Sequence, residues 1–582
     1  MQAIAIALIA LVIAPGFSFY FDIIPKLCVL LVALALCLVF TRPARPGPFH
    51  YLAILFFGSL ALSLAFSPMR DISAFGSTWR RFGVIPQIAI LLFAGWLSVQ
   101  AHRILPILRV IVAAGAITAI YGIAQYFGFD PFLPASAYHV GEGAWTIVRP
   151  PSTLGYASYF ATWLLFVIFL SLAMPGRIWK CAAAVAAIAM VLTGTRAAIL
   201  GLAAGAAVWF FWRGWRISRR TTAIAAAVLI AGAIFYYSPP GWQMRSRTRW
   251  FVEDPWGGPR PLLWRDSLRM AAARPFTGHG PETFMAVFPR YQSRELARAY
   301  PDFAHESPHN IFLDALVSQG IPGMLLLAAF CAAAFRAAWR ARDKHPTVAA
   351  ALAAALAAGI VAQQFTAFTI PTAVIFFATA ALACGLESNS GTAVRPVQSW
   401  TRAAPVLLAL VFTAAAILDL AARIAIADHA LVLTRRALDA RDIAAAQRLY
   451  ASARIPGASS DLWYSRALAR AAALQPAIDA GLRATETADD PFNAWYSLSA
   501  LYASQNDLQR AELSLRNAIR TNPTWFKPHW TLARLLALTG RTAEAAREAG
   551  LALDLDAGKH PEVTQTLQSV VPALKPAPGS QK

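Results

Sequence analysis

The sequence predicts an all-α protein in two parts. The first is a polytopic membrane helical bundle of about 12–13 transmembrane helices with one large extracytoplasmic loop; the second is a smaller α-solenoid. Three observations carry this prediction. Of 582 residues, 58% are hydrophobic and only 14% charged, a balance typical of polytopic membrane proteins and foreign to soluble domains. Apolar runs approaching the roughly 20 residues needed to cross a bilayer recur as far as residue 425. From about 427 the chain becomes Ala-, Arg- and Leu-rich, with helical periodicity and no membrane-length run.

The membrane part, 1–426, has apolar runs near 3–14, 24–41, 50–66, 84–99, 104–127, 155–173, 179–193, 197–212, 221–238, 310–335, 347–367, 370–386 and 404–425. Residues 1–14 lack a basic leader and a cleavage site, so they read as a first membrane helix. With the N-terminus placed in the cytoplasm, inner loops hold fifteen Lys and Arg: Arg42, Arg45, Arg103, Arg177, Lys180, Arg213, Arg216, Arg219, Arg220, Arg336, Arg340, Arg342, Lys344, Arg395 and Arg402. Short outer loops hold only five, Arg70, Arg80, Arg81, Arg149 and Arg196. That bias puts the long loop 239–309 and everything beyond the last span on the non-cytoplasmic side.

The net charge of +21 does not indicate nucleic acid. Residues 1–426 hold 33 Lys and Arg against 15 Asp and Glu, largely in short loops where they orient helices, and no basic run interleaves with stacking aromatics. The outer arginines run against the charge rule. Fixed cations at the membrane surface suit a phosphate-bearing ligand, although any single one can simply snorkel to lipid headgroups. The five cysteines lie in apolar segments and none forms a CxxC, so neither a disulfide framework nor a cysteine metal site is supported.

His305-Glu306-Ser307-Pro308-His309-Asn310 stands at the mouth of an apolar helix. It fits the HExxH zinc-protease pattern, which requires both imidazoles on one helix face. Pro308 argues against that helix, and no third protein ligand follows at suitable spacing. The sequence therefore points to no metal and no other cofactor. A neutral His309 is suited to accept a proton from an attacking hydroxyl, with His305 as substitute or helper. Asn310 orients a hydroxyl or caps the helix. Asp554-Leu555-Asp556 matches a sugar-nucleotide DxD but falls at a helix end, where a solvated face explains it, and no Gly-rich phosphate loop indicates ATP.

Three strings lead up to and through this loop. They are Leu263-Trp264-Arg265-Asp266-Ser267-Leu268, then Arg274-Pro275-Phe276-Thr277-Gly278-His279-Gly280-Pro281-Glu282-Thr283-Phe284, then His309-Asn310 opening a helix that closes in Gly320-x-x-Gly323. Upstream stand Ser152-Thr153-Leu154-Gly155-Tyr156 and Thr193-Gly194-Thr195-Arg196-Ala197-Ala198. In this order they resemble the bacterial O-antigen ligase and polymerase superfamily over about residues 1–390. An asparagine commonly follows the glycine where this chain has Tyr156. The resemblance implies transfer of a glycan from an undecaprenyl-diphosphate carrier to an acceptor hydroxyl at the periplasmic face of the bacterial inner membrane. Metal-free chemistry would use His309 as base, and Arg265 and Arg196 on the diphosphate, with Arg80, Arg81 and Arg149 as further candidates.

Residues 427–570 resemble tetratricopeptide (TPR) repeats. A shift of 34 pairs Leu498 with Leu532, Leu501 with Leu535, Ala511 with Ala545 and Ala518 with Ala552. Three to four helical hairpins in a TPR-like α-solenoid are expected, offering a surface to a protein partner, followed by a loose tail, 571–582. The acceptor, whether lipid A core, another glycan unit or a protein, stays open. So do polymerase and protein O-oligosaccharyltransferase activities. From other classes, a lipid-linked sugar transporter and a membrane-anchored scaffold remain.

Overall fold

The computed structural model describes residues 1–41, 46–140, 147–214, 219–253, 258–391 and 404–570. The expected tail 571–582 and the loop arginines Arg42, Arg45, Arg216, Arg395 and Arg402 lie outside the described residues. The fold is nearly all helical; among the described residues the strands are a two-residue antiparallel ribbon, His139–Val140 with Ile147–Val148.

Each expected apolar run is a helix. Among the described residues, five helical stretches are long and apolar enough to cross a membrane: Pro48–Ala65, Val84–Tyr126, Ile311–Ala341, Ile370–Glu387 and Pro405–Asp439. Gln2–Leu11, Ile24–Phe40, Ala157–Ser171 and Pro346–Ala362 are apolar but shorter. The stretch Ile370–Glu387 is 94% buried, which makes it the central post of the bundle. Around it Phe160, Trp163 and Phe166 are fully enclosed. Small residues let backbones meet elsewhere: a Cβ on Gly201 or Gly205 would stand 2.7 or 2.8 Å from the carbonyl oxygens of Ala358 and Ala354.

The helix Ile311–Ala341 breaks at Gly320, where φ is 73° and ψ −169°. The break receives the 274–280 turn backbone to backbone. His279 N and Gly280 N donate to Val317 O and Ser318 O at 2.9 Å each, and Ile321 N donates to Pro275 O at 2.7 Å. A Cβ on Gly278 would lie 2.3 Å from the Ser318 backbone, and one on Gly320 2.5 Å from Pro275 O. The glycines of the two motifs are thus halves of one contact. Gly320→Ala is expected to cost about 1–3 kcal/mol for the left-handed backbone alone, plus the displaced turn. Thermal unfolding of the purified protein in detergent would read it, and an unchanged midpoint would refute the contact.

The composition change near 427 falls inside the continuous helix Ala404–Asp439 rather than at a linker. Seven helices from Asp461–Arg470 to Pro561–Val570 follow Ile443–Ser452, joined from Arg470 onward by turns of three or four residues. Asp442, Asp490 and Asp507 cap their helices by accepting backbone N–H groups. Carboxylates fasten this C-terminal unit to the bundle at several places. Asp428 accepts from Ser18 and from the Phe19 and Tyr20 amides, Asp489 accepts from Thr78 N and Oγ1, and Asp554 pairs with Arg298.

Candidate active site at the His309 loop

Residues 301–310 are irregular, so His305 and His309 do not share a helix face, and the HExxH geometry is absent. Among the described residues no three His, Cys, Asp or Glu groups converge to hold a metal ion. The loop is held from both sides. Trp264 Nε1 donates to Pro308 O at 2.9 Å, and Ile311 N donates to Gln363 O at 3.1 Å. Asn310 caps the helix: its Oδ1 accepts from Phe312 N and Leu313 N, and its Nδ2 donates to Gln364 Oε1. Its side chain is therefore committed to positioning the loop.

His309 has φ of 52°, a left-handed backbone that is strained for a residue with a Cβ and is typical of functional loops. Its Nδ1 lies 3.3 Å from Ser307 Oγ. The residue is half-buried. Burial, then the charges of Arg260, His305 and Arg80, push its pKa down to about 3. His305 is buried against Phe288, its Nε2 makes no hydrogen bond, and burial pushes it down to about 4. Both imidazoles are neutral at pH 7. The neighbouring Glu306 carboxyl is pushed up by the surrounding protein and by the charge of Asp489.

Beneath the loop lies a buried ionic network. Arg80, 3% exposed, pairs with Glu282 and with Asp314 at 3.0 Å, and also donates to Phe368 O. Glu282, at φ 67°, also accepts from Ser77 N, Ser77 Oγ and Phe82 N. One carboxylate thereby shapes the whole 77–82 loop. Arg81, equally buried, donates to Pro456 O and Ala458 O of the C-terminal unit.

A second group of arginines gathers around Arg247. Arg247 is pushed down to about 9 by burial and then by Arg149, Arg196 and Arg260, while Tyr156 acts in the opposite sense. Arg247 Nε donates to Gly194 O at 3.0 Å, and its stem lies where a Gly194 Cβ would be. That contact accounts for the glycine of the 193–198 motif. Arg149 donates to Tyr156 Oη at 3.0 Å and stacks on its ring, leaving Nε buried with no hydrogen bond. The 152–155 turn is itself clamped: Ser152 N donates to Gln125 Oε1, and Lys26 Nζ donates to Thr153 O. Gly155 leaves room for Asp22.

The expected site residues thus divide. Arg149 and Arg196 act on Arg247, and Arg260 and Arg80 act on His309. Arg265, the leading sequence candidate for diphosphate, faces elsewhere: it pairs with Asp266 and Glu295 and donates to Ser293 Oγ. The reason is helical phase. Arg260 and Trp264, four apart, turn toward Phe365 and the His309 loop, while Arg265 and Arg269 turn toward Asp266. Arg80 and Arg81 are likewise bound to protein acceptors. Sequence reasoning missed Arg247, Arg260 and Glu282. Arg260 was findable, as the residue one turn before Trp264.

Fold and site together define a helical membrane protein with a basic, histidine-bearing cluster built from interhelical loops. Comparison with known proteins gives the same direction. Residues 181–328, which include Arg196, Arg247, Arg260 and His309, match the O-antigen ligase family. An O-antigen ligase of Pseudomonas aeruginosa is 29% identical over 323 residues, 53% of this chain and 69% of that protein.

Proposed function

We propose that this protein transfers a glycan from an undecaprenyl-diphosphate carrier to an acceptor hydroxyl, at the periplasmic face of the inner membrane. The observation that carries the reading is that Arg149, Arg196 and Arg260 all act on Arg247, while Arg260 also acts on a neutral His309 and so links the two groups. Cleaving the bond between sugar and diphosphate leaves negative charge on the leaving group. Guanidinium groups stabilise it through paired N–H contacts, and in a crowded cleft such contacts are stronger than in water. His309 takes the acceptor proton as the hydroxyl attacks the anomeric carbon. Arg80, Glu282, Asp314, Trp264 and Asn310 hold the loops that carry these groups. The similarity to an O-antigen ligase supports the reaction class and leaves the acceptor open. The C-terminal helices, with their repeated turns and Asp caps, support a TPR-like unit.

The test is transfer in vitro from an undecaprenyl-diphosphate-linked glycan in excess EDTA. Wild-type activity is expected to survive the chelator. Arg247→Ala and Arg260→Ala should each lower transfer by about 10²-fold or more, the scale seen for single donors to developing charge. Arg265→Ala should lower it far less. Equal losses for Arg265→Ala and Arg247→Ala would overturn the revised arginine assignment. No transfer by folded wild type would overturn the reaction class.

A further inference from the structure

The C-terminal unit meets the membrane bundle along a groove of about 780 Å³ that the reaction above does not use. One wall is the short helix Arg70–Phe75, which brings Asp71 and Phe75. The other is the helix Ile443–Ser452, the 453–460 segment and the two helices after it. The walls are joined where Ala458 N donates to Gly76 O at 3.1 Å, so the groove is part of the rigid frame. The 76–82 loop touches both the groove and the network beside the candidate active site. From that loop Arg81 reaches the groove wall at Pro456, and Arg80 reaches Asp314 beneath His309.

The lining selects a ligand chemistry. Tyr450 and Tyr464 stack at 3.7 Å, and the Tyr464 hydroxyl, in a residue only 4% exposed, makes no hydrogen bond. Asp461 accepts from Tyr450 Oη and from Arg483 Nε, both at 3.2 Å, which fixes the polar groups before anything binds. Three carboxylates, Asp71, Asp461 and Asp479, face two guanidinium groups, Arg454 and Arg483. That balance disfavours phosphate and other anions, and charged groups spread along both walls disfavour an acyl chain. Mixed donors and acceptors beside the part-exposed Tyr450 suit a neutral polyhydroxylated ligand, whose hydroxyls need both kinds of partner and whose C–H groups pack against an aromatic ring. We infer that this groove is a saccharide-binding subsite that holds glycan units remote from the bond being exchanged. The choice of glycan rests on the transfer reading; the groove itself does not.

Binding without lipid or reaction separates the two. The experiment is calorimetric titration and saturation-transfer NMR of the full-length protein in nanodiscs, with carrier-free oligosaccharide released by mild acid from the source cell's own lipid-linked glycan. Wild type and His309→Ala are expected to bind equally. Ala451→Trp, which plugs the groove from an exposed position, should abolish binding. Tyr464→Phe and Arg454→Ala should each weaken it several-fold. Binding that survives Ala451→Trp and Arg454→Ala, or a wild type that transfers glycan yet binds no free oligosaccharide, overturns the subsite. So does a peptide that occupies the groove where the oligosaccharide does not. Groove-dependent binding by a wild type that transfers nothing supports the subsite and refutes the transfer reading.

Discussion

Replacing His309 by alanine is expected to lower glycan transfer by about 10²–10⁴-fold, the usual worth of general-base help, without unfolding the protein. The imidazole's polar contact among the described residues is a long one, to Ser307 Oγ at 3.3 Å, so no strong hydrogen bond is lost. The pH dependence is the sharper readout. In the free protein burial, followed by the charges of Arg260, His305 and Arg80, holds the imidazole near 3. It is then already deprotonated across pH 5–8, and the pH profile of kcat/KM should show no acid limb from it there. A diphosphate bound at Arg260 offsets part of that positive field and raises the pKa, which strengthens the base at the moment it is needed. The acid limb of kcat should therefore lie at higher pH than that of kcat/KM, and vanish in the residual activity of His309→Ala. Coincident limbs would sink this account.

The same shifts bear on stability. His305 and His309 titrate near 4 and 3 when folded, below the value of about 6.5 expected in the unfolded chain. The unfolded state then binds more protons at acid pH. Stability from these groups is complete above about pH 6.5 and is lost as pH falls toward their folded values. Thermal midpoints at pH 7 and pH 5 should differ in that direction, and less so in a variant lacking both imidazoles.

Glu282→Ala is expected to be the most damaging single change to the fold, costing about 3–5 kcal/mol. Its carboxylate is 7% exposed with the rest of the residue and accepts from Arg80, Ser77 and Phe82. Removing it leaves Arg80 buried with Asp314 as its only carboxylate partner and strips the 77–82 loop of its organising acceptor. Because the next residue, Arg81, fastens the C-terminal unit through Pro456 and Ala458, the loss should also loosen that unit. Thermal unfolding and limited proteolysis of the 440–460 region would report both effects together. A wild-type midpoint would show that Arg80 finds adequate partners without Glu282.

The helices and the motif order were legible from the sequence alone, because apolar runs and glycine punctuation are local properties. The 13 apolar runs became helices, and Gly278, Gly280 and Gly320 stand at left-handed positions that residues with a Cβ rarely adopt. The sequence also pointed to His309, Arg149 and Arg196, since a histidine at a helix mouth and arginines against the charge rule are visible in one dimension. Only the tertiary structure decided which distant groups Arg80 and Arg265 meet. Arg80 and Arg265 meet carboxylates brought from Glu282, Asp314 and Glu295, at sequence separations of 202, 234 and 30 residues, and no local pattern records such pairings. Helix phase turns Arg260 toward Phe365 and the His309 loop, and the missing Cβ at Gly194 makes room for the Arg247 stem. A guanidinium group's role is set by the charges that reach it in space, and those come from distant parts of the chain.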